Sequence, residues 1–203
     1  MDVRRLELGG LPAARDCLVA GFMADPLYCW LYPDEVTRPG MVGDVVDLVL
    51  GAAVGTGSAW VLDDVVAVAA FTEHGADLID AGTEASYRQL LEQQIGPRRT
   101  AHAFAGMAAC AAYEPSGPHD TLHTLAVHGS RQGKGLGTAL LKHLLAQCDE
   151  RGHPVHLDSS NQRNVSFYER LGFTVSGEVE VPGGGPTMRC MVRPPQAPPR
   201  SSS

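Results

Sequence analysis

The chain has 203 residues, 44% of them hydrophobic and 19% charged, with a formal net charge of −7. That size and balance fit one globular unit with a sizeable core. The negative charge repels nucleic acid and anionic membranes at long range, so neither is expected as a partner, and a polyanionic ligand needs a local basic cluster. Cys17, Cys29, Cys110, Cys148 and Cys190 are scattered and form no CxxC pair, which suits reduced thiols in a cytoplasm. The start, MDVRRLELGG, lacks the apolar core of a signal peptide. Apolar runs such as VVAVAAF (65–71) are strand-length, far below the ~20 residues that span a bilayer.

In chain order, VRRLEL (3–8) reads as an edge strand, and LPAARDCLVAGFM (11–23) as a helix with Leu11, Ala14, Leu18 and Phe22 at helical spacing. DPLYCWLYPDE (25–35) cannot be one long helix, because Pro26 and Pro33 interrupt it. Residues 43–53 read as a helix, 58–64 and 65–73 as strands joined by an Asp-containing turn, and 84–95 and 101–112 as helices. TLHTLAV (121–127) is a short strand. The segment 138–151 is an amphipathic helix with Leu141, Leu144, Leu145 and Cys148 as its buried stripe and Gly152 as its stop. PVHLD (154–158) is a strand, 161–171 a helix, and 172–193 two strands joined by a Gly-Pro turn. The order is mixed α/β over 1–193, one domain, followed by a Pro/Ser-rich tail (194–203) with nothing to bury and expected to be disordered.

The most informative stretch is RQGKGLGT (131–138), at a strand-to-helix junction. A helix N-terminus presents unpaired N–H groups with partial positive charge, and glycines let backbone approach an anion. Gly133, Gly135 and Gly137 with Arg131 and Lys134 therefore point to phosphate or pyrophosphate. The loop is neither GxxxxGK[ST] nor GxGxxG. The remaining pattern is QxxGxG, from Gln132 to Gly137.

LHTLAVHGSRQGKGLGTALL resembles the coenzyme A pyrophosphate motif of the GCN5-related N-acetyltransferase (GNAT) family, and NQRNVSFYERLGF (161–173) resembles that family's second motif. RNVSFYERLGFTVSGEVEVPGGGPTMRCMVRPP, together with QGKGLG, is similar to the C-terminal part of the puromycin N-acetyltransferases of that family. The resemblance implies a mixed, mostly antiparallel central sheet flanked by helices and acetyl-CoA as cofactor. It also implies transfer of an acetyl group to the primary amine of a small molecule, such as an antibiotic or aminonucleoside. Pantetheine would pair with the backbone of Leu125, Ala126 and Val127, and the pyrophosphate with Arg131, Gln132, Gly133, Lys134, Gly135, Leu136, Gly137 and Thr138. Tyr168 matches the tyrosine placed beside the coenzyme sulfur and is the expected acid, with Asn161 and Asn164 along the same helix face toward the cofactor.

The base stays open. Asp158 stands where relatives often carry a longer glutamate, and it also suits a turn cap. His123 shares a face with Leu125 by strand alternation, and it also suits a buried, bonded histidine. Tyr28, Trp30, Tyr32 and Glu73 are candidates for the acceptor pocket, although the aromatics equally suit stapling helices to the sheet. No spacing of His and Cys suggests a metal site. Transfer of another acyl group, a peptide or carrier-bound acceptor, and a non-catalytic coenzyme-binding module are the rival readings. Oligomeric state is not readable from these residues.

Overall fold

A computed structural model describes residues 1–78 and 80–196. The expected tail beyond residue 196 lies outside the described residues. Seven strands form one sheet: β1 (Val3–Arg5), β2 (Ala59–Leu62), β3 (Ala67–Thr72), β4 (Asp120–Val127), β5 (Val155–Ser159), β6 (Thr174–Glu180) and β7 (Thr187–Arg193). Their order across the sheet is β1-β2-β3-β4-β5-β7-β6. The pairing of β4 with β5 is parallel and every other pairing is antiparallel, as a mixed, mostly antiparallel sheet requires.

Helices cover both faces. On one face lie α1 (Leu11–Phe22), α2 (Pro26–Leu31), α3 (Arg38–Gly55), α4 (Ala81–Ile95) and α5 (Pro97–Cys110), enclosing a core that includes Leu18, Val46, Leu50, Val68 and Leu91. On the other lie α6 (Leu136–Arg151) and α7 (Gln162–Glu169), over Phe71, Leu122, Leu157 and Phe173. Leu141, Leu144, Leu145 and Cys148 of α6 are all buried, as their spacing predicts. Each such leucine contributes about 1.5–3 kcal/mol. Gly152 ends α6 in the left-handed region at φ +72°, and its N–H donates to the Asp149 carbonyl.

As expected, residues 25–35 form no long helix: α2 is confined to Pro26–Leu31, with Asp25 capping Leu27 and Tyr28 and proline in the first turn, and it stops before Pro33. Two local expectations are corrected. Helix α3 begins at Arg38 rather than residue 43. The buried Arg38 guanidinium donates to the carbonyls of Tyr32, Met23 and Pro33, anchoring a first turn that local propensity does not reveal. The β2–β3 connection places Asp63 and Val65 at φ +48° and +62°, so β3 starts at Ala67 rather than residue 65.

Candidate active site

Strands β4 and β5 pair over only three residues each, Asp120–Leu122 with Val155–Leu157. Beyond them β4 continues to Val127 bonded to β3 alone, while β5 continues to Ser159 bonded to β7. The sheet therefore opens between its two central strands. A cavity of about 350 Å³ occupies the gap, lined by Leu122 to Leu125, Leu157 to Ser160, and Asn164 and Tyr168 of α7. The closed end is pinned by the fully buried Asp120 side chain, which accepts from Arg151 Nη2 at 2.7 Å and from the His74 N–H at 2.9 Å, with His153 Nδ1 at 3.1 Å. Burial raises the Asp120 carboxyl, but these donors outweigh it and hold it below the ordinary carboxylate range.

A bulge sits where the strands part. Ala70 and Phe71 are adjacent on β3, yet they pair with Thr124 and Leu122, so His123 is an extra residue on β4. This overturns the expectation that His123 and Leu125 share a face: the bulge breaks the alternation. The His123 ring meets the Thr72 hydroxyl, Nε2 to Oγ1 at 2.8 Å, whereas Leu125 packs toward the α6 side. His123 borders both the main cavity and a second one, of about 330 Å³, that also contains Glu73 and His119. Desolvation by the surrounding protein, with some help from His156, pushes the His123 pKa down to about 4 against the pull of Asp158. At neutral pH its imidazole is uncharged.

The glycine loop runs from the open end of β4 into α6. Gly133 and Gly135 have φ of +73° and +75°, and a Cβ at either would point into open space with nothing within 4 Å. Gly135 is the residue preceding α6, so the N–H groups of Leu136, Gly137 and Thr138 have no acceptor within the helix. Gly137 serves packing: a Cβ there would lie 3.2 Å from Val127. The Gln132 amide donates to the Val127 carbonyl at 3.2 Å, tying the loop to the strand end. Arg131 and Lys134 are exposed beside it. Two left-handed glycines, free N–H groups and two cations fit a pyrophosphate, and the unpaired β4 edge over Leu125–Val127 fits an extended amide chain leading away from it.

Helix α7 aims Asn164 and Tyr168, one turn apart, at the cavity. Tyr168 is buried, and its hydroxyl has no hydrogen-bond partner among the described residues. Burial, then the charge of Asp25, pushes it up to about 12, so it stays protonated. Asn161 caps α7 by accepting the Arg163 N–H at 3.1 Å. Asp158 lines the cavity with Oδ1 3.3 Å from His156 Nε2. Its cross-strand partner is Cys190, and Cys110 completes a group whose ligand atoms lie within 4.8 Å of one another, a proximity that no sequence spacing announced. Burial pushes the Cys110 thiol up to about 11.

Of the acceptor-pocket candidates, the structure brings Tyr28 to the main cavity and leaves the others outside its lining. Tyr32 donates its hydroxyl to Gln94 at 2.6 Å, Trp30 lies under the Arg99 guanidinium, and Glu73 pairs with Arg5 and Arg151. Sequence reasoning missed Ser160 and Thr124. The Ser160 hydroxyl donates to the Asp25 carboxylate at 2.7 Å across 135 positions of sequence. Thr124 Oγ1 is buried at the cavity wall without a partner among the described residues. Only the capping signature of Asp25 before Pro26 was legible locally.

Residues 98–173 match the acetyltransferase (GNAT) family. Over 61 residues the chain is 36% identical to a 5-NmdU N-acetyltransferase of Pseudomonas phage PaMx11, covering 30% of this chain and 44% of that protein. Over 64 residues it is 34% identical to the L-amino acid N-acyltransferase MnaT of Escherichia coli K12, covering 30% and 37%. The chain thus spans less than half the length of these curated relatives. A Corynebacterium glutamicum structure described as histone acetyltransferase HPA2 and related acetyltransferase superposes with a TM-score of 0.70 at 23% identity, over 97% of both chains. Arylalkylamine N-acetyltransferase 2 of Aedes aegypti superposes with a TM-score of 0.67 at 14% identity, over 96% of this chain and 99% of that one. The GNAT fold therefore extends through the N-terminal half, beyond the matched segment.

Proposed function

We propose that this protein is an acetyl-CoA-dependent N-acetyltransferase acting on the primary amine of a small molecule. The observation that carries the reading is the position of Tyr168: a buried, protonated and otherwise unbonded phenol beside a sheet opening that leads to the glycine cradle. Residues 133–138 would hold the pyrophosphate, and the backbone of Leu125–Val127 the pantetheine amides. A bound acetyl-CoA supplies an activated thioester whose departing thiolate gains from an acid.

Tyr168 is that acid, donating from its hydroxyl toward the sulfur position. Thr124 offers a hydroxyl without a partner on the opposing strand. An amine with a pKa near ~10 arrives protonated and must lose a proton before attack. His123, neutral at neutral pH, and Asp158 both border the cavity, where they can relay to water a proton already released into it. The relatives' names support an amine acceptor, and their variety favours testing a broad panel.

Thiol release from acetyl-CoA across amines, puromycin and peptide N-termini included, tests the reading with product masses as the control. An amine-dependent gain of one acetyl mass is expected. Acetyl-CoA binding with no transfer to any amine would leave a coenzyme-binding module, and no binding would remove the cradle assignment.

A further inference from the structure

The proposed N-acetyltransferase reading leaves the acceptor undefined beyond a small amine, and the chemistry of the main cavity defines it further. Away from β4 and β5 its walls are apolar and aromatic, including Phe22, Leu27, Tyr28, Val49, Tyr87 and Met107. Among the described residues, no lysine or arginine lines it. An acceptor carrying a carboxylate or phosphate would bury that charge without a cation. A polyamine with three amines brings more ammonium groups than the two lining carboxylates, Asp25 and Asp158, can pair, and an unpaired charge in such surroundings is strongly disfavoured. At about 350 Å³ the space lies near the lower end for small-molecule sites.

One carboxylate is built into this apolar wall. Asp25 Oδ1 accepts the N–H groups of Leu27 and Tyr28 at 2.9 and 3.4 Å, and the Ser160 hydroxyl lies 2.7 and 2.8 Å from its two oxygens. Oδ2 takes none of the backbone donors, so it keeps acceptor capacity toward the cavity. These contacts fix the carboxylate between α2 and the end of β5, at the side of the opening where Tyr168 stands. The two groups sense each other, since the Asp25 charge contributes to holding the Tyr168 proton.

We propose that the acceptor is a primary amine on an apolar, aromatic-sized body, and that Asp25 anchors its ammonium and takes the proton that frees it for attack. The nitrogen then forms its bond to the acyl carbon as the carbon–sulfur bond breaks. Of the two protons the nitrogen sheds, one leaves to solvent by way of Asp25, and the other balances the proton that Tyr168 gives to the sulfur. Ser160 is a positioning residue: its hydroxyl touches both Asp25 oxygens and sets the direction of Oδ2, the one without backbone donors.

The test uses the full chain with phenethylamine and tryptamine against spermidine, L-leucine and a short peptide, reading thiol release and product mass. The arylalkylamines should exceed spermidine and L-leucine in kcat/KM by roughly 10- to 100-fold, the cost of one unpaired buried charge. Asp25→Asn keeps an oxygen for the α2 cap, so the fold should survive. It should lower kcat/KM for the arylalkylamines by roughly 10- to 100-fold near neutral pH, mainly through KM, and the deficit should shrink as pH approaches the amine pKa near ~10. Acetyl-CoA affinity by calorimetry should not change. Transfer that favours spermidine, L-leucine or the peptide would overturn this inference while leaving the N-acetyltransferase reading intact. An Asp25→Asn enzyme with the parent pH profile would overturn the role of Asp25. Absence of acetyl-CoA binding would overturn both the wider reading and this one.

Discussion

At the proposed cradle end of the opening, recognition would rest on main chain: the N–H groups of Leu136 to Thr138, the unpaired edge of β4 and two left-handed glycines, all within one strand-loop-helix run. At the opposite end it is offered by side chains drawn from α1, α2, α3, α4 and α5, with Asp25 and Ser160 meeting across 135 positions. The first kind of site is insensitive to most side-chain identities and intolerant of added bulk at a few glycines. The second tolerates no fixed spacing at all, because each wall comes from a different element. A protein built this way can change its acceptor by altering α1–α5 while its cradle stays the same.

That contrast can be broken from either end. The largest effect is expected from Gly135→Asp, which places a negative charge and a Cβ in the cradle. Acetyl-CoA affinity measured by calorimetry should fall more than about 100-fold, and an unchanged affinity would remove the loop from the coenzyme site. Tyr168→Phe comes next. Turnover should drop roughly 100-fold, the usual contribution of a positioned acid, with acetyl-CoA affinity retained, so equal steady-state rates would dismiss it as the acid.

Tyr32→Phe sharpens the comparison from the acceptor side. Its hydroxyl bonds Gln94 rather than the cavity, so amine KM should hold while chemical denaturation shows a loss of about 1 kcal/mol. The smallest effect concerns His123. Its folded pKa of about 4 lies below the ordinary value of 6.5, so protons bind the unfolded chain preferentially between those values. Stability should therefore fall as pH drops from 6.5 toward 4. His123→Phe should flatten that limb in a series of melting temperatures, and an unaltered slope would assign the acid sensitivity elsewhere.

The same contrast explains what the sequence disclosed. The QGKGLG loop, the leucine stripe of α6 and the Tyr168 helix are local patterns whose physics is complete within about a dozen residues, and the fold follows them closely. The early start of α3 depends on Arg38 reaching carbonyls at Met23, Tyr32 and Pro33, and the placement of His123 depends on register against β3. The pairing of Asp25 with Ser160 depends on the sheet bringing distant ends together. None of these three leaves a periodic trace. Trp30 and Tyr32 read as well for a pocket as for packing, because an aromatic run carries no sign of which way each ring turns.

Three paired residues per strand are all that join β4 to β5, so the sheet is two smaller sheets sharing a short seam. Whatever extends that seam adds hydrogen bonds the chain cannot supply for itself. An acyl-CoA lying along Leu125–Val127 would act as a missing strand, and its binding energy would appear as resistance to unfolding that grows with its concentration. The lifetime of the protein would then follow the supply of its own cofactor, with the starved form the first to be lost to proteolysis.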